Sequence, residues 1–174
     1  MTGSCGVRSP NSGRSSWIGP APCWGRTQYT RAARLLDSLA ADSDFVTSSA
    51  EFTPTVLHGD LYGLNVLRAS GPDSLPLIID WNAARIGPAM FDAAMSSSYD
   101  SPALRAHDQG WAEVAGAPPE QAESRLSHAW SSALINAMYA GTVAIRSSAP
   151  DAAQMIMTGE QAAESFRRLR RAGR

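Results

Sequence analysis

The stretch "TVLHGDLYGLNVLRASGPDSLPLIIDWNAA", Thr55 to Ala84, gathers His58, Asp60, Asn65, Asp73, Asp80 and Asn82 among apolar and turn-forming residues. Val56 and Leu57 read as a short apolar strand that delivers His58, Gly59 and Asp60. From Asn65 the pattern is strand, turn, strand: "NVLRA", "SGPDSL", "PLIID". Gly71, Pro72 and Asp73 favour a hairpin at that turn. Centred there, the hairpin predicts Ala69 opposite Pro76, Arg68 opposite Leu77, Leu67 opposite Ile78, Val66 opposite Ile79 and Asn65 opposite Asp80. Directly opposed residues of an antiparallel pair hold their Cβ atoms roughly 4.5 to 5.5 Å apart on one face of the ribbon. An amide and a carboxylate so placed can share one cation.

Asp60 lies five positions before Asn65, so a short loop separates a candidate base from a candidate ligand. Phosphoryl transfer to an alcohol needs such a set: a carboxylate that receives or orients the hydroxyl proton, and hard oxygens that hold magnesium on the nucleotide phosphates. Taken singly, Asp60 and Asp80 read as turn or strand-end caps, since a lone aspartate in such a place is structural more often than not. Their joint spacing with Asn65 favours the site. Asp73 and Asn82 are read as turn or edge residues.

Outward from this stretch the chain is helical. On the N-terminal side, Ala33, Leu36, Leu39 and Ala40 predict one apolar stripe of a helix from about Thr30. Residues 1–25, rich in Gly, Ser and Pro, predict an irregular or disordered extension. Beyond "IGP", Pro88 suits a first helical position, and strand signals stop there. Pro118 and Pro119 introduce a helix with a core stripe of Leu126, Trp130, Ala133, Leu134, Ala137, Met138 and Gly141. A last helix is expected from Asp151 as N-cap to "FRRLRR", whose arginines suit a C-terminal dipole and a solvated face.

Composition narrows the chemistry. The chain has 174 residues, 44% of them hydrophobic, which allows one domain with a real core. Fifteen basic residues, all arginine, nearly balance sixteen acidic ones, so no global field would gather nucleic acid or anionic lipid. Without lysine there is no Walker phosphate loop. Cys5 and Cys23 suggest neither a disulfide framework nor a zinc site, and a reducing cytoplasm is the simplest expectation. No apolar stretch reads as a membrane span.

"HGDLYGLNVL", followed after the hairpin by "LIIDWNAARIGPAMFDAA", resembles the catalytic core of the aminoglycoside phosphotransferase and choline kinase family, whose fold is similar to that of protein kinases. The resemblance implies an α+β, mainly helical chain: the C-terminal lobe of that fold over residues 26–174. Within it would lie a catalytic loop and metal hairpin at 56–82 and a helical acceptor-binding region at 88–174. It implies Asp60 as catalytic base, Asn65 and Asp80 as magnesium ligands that bind the ATP co-substrate, His58 as a loop-stabilising residue, and Asp92 as an anchor of the loop backbone. The reaction would be transfer of the ATP γ-phosphate to a hydroxyl of an aminoglycoside- or choline-like small molecule. Leu64 stands where the family often has glycine before the asparagine. A strand-rich N-terminal lobe with its lysine is not visible ahead of His58. The alternative is therefore a truncated lobe that is inactive, acts as a binding module, or works with a missing N-terminal lobe or partner chain. A metal-dependent hydrolase using Asp60 and Asp80 is a weaker third reading.

Overall fold

A computed structural model of the chain describes residues 23–68, 71, 75–146 and 149–173, with side-chain environments from Arg26 onward. The elements run α1 (Cys23–Ala40), α2 (Ser43–Ser48), β1 (Pro54–Leu57), β2 (Val66–Arg68), β3 (Pro76–Ile78), β4 (Arg85–Pro88), α3 (Met90–Ser96), α4 (Pro102–Ala115), α5 (Gln121–Arg146) and α6 (Ala149–Ala172). Helix dominates, and two small antiparallel sheets, β1 with β4 and β2 with β3, complete a mixed α+β chain. The irregular extension expected over 1–25 falls, up to residue 22, outside the described residues. Helix α1 already begins at Cys23 rather than near Thr30.

Helix α5 is the centre. Its Trp130, Ala133, Ile135 and Ala137 are buried against Leu35 and Leu39 of α1, Phe45 of α2, Leu57 of β1, Phe91 of α3, and Ala163 and Phe166 of α6. The Trp130 ring stacks on Phe45 at 5.3 Å, and its Nε1–H donates to the Phe45 carbonyl at 2.7 Å, so the polar end of a buried indole is satisfied. Phe166 meets Phe45 edge-on at 5.2 Å.

Several expectations shift. In α1 the buried positions are Ala32, Leu35 and Leu39, with Leu36 at the margin, while Ala40 is exposed and Ala33 only half-buried. Leucine has far more apolar area to hide than alanine, so Leu35 and Leu39 decide which way the helix turns. Met138, expected in the α5 stripe, is 46% exposed. Pro88 does not open a helix: it ends β4, opposite Pro54, and α3 starts at Met90. The two prolines face each other at one end of that two-stranded ribbon, where a missing N–H removes no interior ladder bond. Asp151 sits within the first turn of α6, which begins at Ala149, so it is not the N-cap. Helix α4 is bounded by Ser101, whose side chain accepts from the Leu104 N–H at 3.1 Å, and by Gly116 in the left-handed region.

The arginine cluster of α6, expected as a solvated face, includes two structural pairs. Arg170 holds the Glu51 carboxylate in a two-pronged contact at 2.6 Å, and Arg167 meets Asp42 at 2.9 Å. Burial opposes the charge on Asp42, but Arg167 and the backbone N–H groups of Phe45 and Asp44 outweigh it and hold its carboxyl below the usual range. No described helix is long and apolar enough to cross a membrane.

The tight α5–α6–α1 junction gives a paired test. A Cβ at Gly159 of α6 would come within 2.9 Å of Leu35 Cδ2 and 3.2 Å of Asn136 Cβ, whereas one at Gly110 of α4 meets nothing within 4 Å. Gly159→Ala should destabilise by about 1–3 kcal/mol through overpacking, and Gly110→Ala should stabilise by about 0.5–1 kcal/mol. Urea unfolding midpoints of the two variants should therefore move in opposite directions.

Candidate active site

Where β1 ends, the backbone leaves the sheet, and the N–H groups of His58 and Gly59 need acceptors. Asp92, in the first turn of α3, supplies both: Oδ2 accepts from the His58 N–H at 2.6 Å and Oδ1 from the Gly59 N–H at 2.9 Å. Gly59 has φ +80°, and a Cβ there would collide with the Ala83 carbonyl oxygen. Only glycine lets the loop approach that carbonyl so closely.

His58 is buried, and both ring nitrogens are engaged. Nδ1 accepts from the Asp60 N–H at 3.3 Å, so Nε2 carries the hydrogen and donates to the Ile79 carbonyl at 2.8 Å. This bond links the loop to the end of β3, one residue before Asp80. The Trp81 ring stands edge-on to the imidazole at 4.8 Å.

Asp60 and Asn65 are in contact. Asn65 Nδ2 donates to the Asp60 carbonyl at 2.8 Å and reaches Asp60 Oδ2 at 3.3 Å. A 3-10 turn over Gly63–Asn65 closes the loop, with the Asn65 N–H donating to the Tyr62 carbonyl at 2.8 Å.

The expected hairpin register is off by one. Val66 pairs with Ile78, Leu67 with Leu77 and Arg68 with Pro76, and the Ile79 N–H donates to the Asn65 carbonyl at 3.0 Å. Asn65 therefore faces Ile79, not Asp80. Ladder bonds alternate along an antiparallel pair, so a bond at Asn65 and Ile79 puts the next bonded position at Leu67 and Leu77. Pro76 then falls at a non-bonded position, where no N–H is required. Asp80 lies one residue beyond the ladder with φ 62° and ψ 60°, a left-handed conformation that breaks strand alternation. It is exposed, and its Oδ1 accepts from Asn82 Nδ2 at 2.6 Å. Side-chain alternation therefore does not bring Asp80 to Asn65. Among the described residues, no group of three or more His, Cys, Asp or Glu side chains could hold a metal ion.

Two residues that the sequence reading missed stand beside Asp60. Tyr139 of α5 brings its hydroxyl to 3.5 Å from Asp60 Oδ1, and the Tyr62 ring meets the Tyr139 ring edge-on at 5.9 Å. Burial, then Tyr139 and the charge of Asp60, push the Tyr62 phenol up to about 12. Burial also raises Tyr139, with Asp60 adding to the shift and Arg85 opposing it. No local signal marks Tyr139, because 79 positions separate it from Asp60.

Around this loop the strands present apolar side chains to solvent. The cross-strand pairs Val56 with Ile86 and Leu67 with Leu77, together with Leu64, Leu75 and Trp81, are between 47% and 89% exposed. Behind the loop, a cavity of about 400 Å³ between β1, α3 and α4 is lined by Leu61, Asp92, His107 and Trp111 among others.

The sequence matches the model of the phosphotransferase enzyme family over residues 20–128, a span that includes His58, Asp60, Asn65, Asp80 and Asp92. No curated protein and no solved structure matches the chain significantly.

The hold on the loop is measurable without an activity. Asp92→Ala leaves two N–H groups without an acceptor and should cost about 1–3 kcal/mol for each. Asp92→Asn keeps one acceptor oxygen and should lose less. Denaturant midpoints that rank wild type, then Asn, then Ala are the expected outcome.

Proposed function

Because the chain belongs to the phosphotransferase enzyme family, matched over more than half its length, we propose that it transfers the γ-phosphate of ATP to a hydroxyl of a small molecule, of the aminoglycoside or choline kind. Asp60 is the catalytic base in this reading, and Asn65 and Asp80 are the magnesium ligands. The observation that carries it is the loop itself: a half-buried Asp60 carboxylate beside Asn65, on a backbone tied down by Asp92 and His58.

The donor chemistry fits the ion. Asn65 commits its Nδ2 to Asp60, which leaves Oδ1 as a hard oxygen of the kind magnesium takes. Asp80 has a second carboxylate oxygen besides the one that accepts from Asn82. Bound there, Mg²⁺ would neutralise charge on the phosphate oxygens. Asp60 orients the acceptor hydroxyl and takes its proton as the oxygen bonds to the γ-phosphorus and the bond to the ADP oxygen breaks. His58 and Asp92 touch no reactant and keep the loop in shape. The helical region from Pro88 onward forms the acceptor side, and the cavity beside Leu61 supports that assignment. The same reading puts the protein in the cytoplasm, where ATP is available and thiols stay reduced.

A second reading is favoured by the exposed apolar strand faces. In it the chain is a kinase-like C-terminal lobe that works against another body, an N-terminal lobe or a partner chain, and is a binding module by itself. Thermal unfolding with magnesium ATP separates the two. At free nucleotide about ten times Kd, binding adds about 1.4 kcal/mol, or about 3–6 °C in Tm. No shift at millimolar nucleotide defeats unaided phosphotransfer. Given activity, Asp60→Asn should lower kcat by about 10²- to 10⁴-fold with the fold intact, and Asp80→Ala should abolish the stabilisation that magnesium adds to ATP binding.

A further inference from the structure

The carboxylate of Asp60 is approached from two sides. Asn65 reaches Oδ2 from within the loop, at 3.3 Å, and Tyr139 reaches Oδ1 from α5, at 3.5 Å. Tyr139 stands on the most firmly held element of the molecule: its neighbours Ala137 and Ala140 have no exposure at all, and α5 is clasped by α1 and α6. The ring is braced by Tyr62, edge-on at an interplanar angle of 87°.

We infer that Tyr139 is a positioning residue for Asp60, its hydroxyl donating to Oδ1 so that a rigid helix, and not only the loop, sets the direction of the carboxylate. The inference deepens the phosphotransferase reading and rests on it for its catalytic meaning. A separation of 3.5 Å is longer than a formed hydroxyl–carboxylate bond of roughly 2.5–2.7 Å. Such contacts are often long before substrate binds and tighten in the reacting complex. A small swing of the phenol ring closes it. The hydroxyl keeps its proton in the working range, because burial and then the charge of Asp60 raise its pKa, against Arg85 on β4. A donor there occupies one oxygen of the base and leaves the other, shared with Asn65, to meet the acceptor hydroxyl.

Tyr139→Phe removes the hydroxyl and little else. The expected result is a fall in kcat of about 10- to 100-fold, the scale of a misplaced catalytic group, with the nucleotide KM and the Tm unchanged. An unchanged kcat overturns the inference, and so does a loss of Tm that accounts for the fall. A second measurement needs no turnover. The chain has four tyrosines, so tyrosine labelled with ¹³C at Cζ gives four lines, and the one missing in Tyr139→Phe belongs to Tyr139. In Asp60→Asn this line should move by more than the other three, because a charged acceptor becomes neutral. A line that stays put overturns the inference. If the wild-type chain transfers no phosphate, unaided phosphotransfer fails by itself, and the Tyr139 line still decides whether the hold on the Asp60 carboxylate exists.

Discussion

One carboxylate holds two backbone N–H groups, and the site depends on that. At the end of β1 the chain abandons its ladder inside a buried region, where an unpaired donor is costly. Asp92 accepts from both donors with charge-assisted bonds, and its place in the first turn of α3 suits a negative charge near a helix N-terminus. The same helix buries Phe91 in the core built around α5. The bend that presents Asp60 is thereby fastened to the best-packed part of the molecule.

From that bend, order passes to the hairpin through His58. Its imidazole receives the Asp60 N–H on one nitrogen and gives a hydrogen to the Ile79 carbonyl with the other. Among the described residues of the hairpin, Leu67 and Leu77 both face solvent. A few hydrogen bonds, each worth about 1 kcal/mol net, therefore set where Asp80 stands relative to Asp60. The helical half has a continuous aromatic and aliphatic core. The molecule thus joins a stiff helical body to a softly held ribbon, and local opening is expected in the ribbon first.

Much of this was legible because it is local. The loop from His58 to Asn65 closes on itself over a few residues, so residue identity and spacing were enough to bring Asp60 beside Asn65. The hairpin was legible as a hairpin, but its register was not. Turn residues such as Gly71 to Asp73 mark where the chain reverses but leave the pairing free to slip by one residue, and the observed pairing sets Asn65 opposite Ile79. Strand β4 carries no strand signal of its own, because "RIGP" is short, contains glycine and ends in proline, and it becomes a strand only against β1. The rotation of α1 follows its leucines, Leu35 and Leu39, and a stripe that weighs alanine equally with leucine does not give it.

By itself the sequence determined a helical chain with a tight polar loop in which Asp60 meets Asn65, since these depend on contacts within one short segment. The family resemblance, and no local pattern, pointed to Asp92 as the anchor of N–H groups more than thirty positions away, and tertiary structure alone decided that Tyr139 reaches Asp60 from the middle of α5. The physical reason is range. Propensity and periodicity act over a few turns, whereas the direction of a side chain across the core follows from how whole helices pack, and nothing in the local pattern of α5 tells its tyrosine apart from a core aromatic.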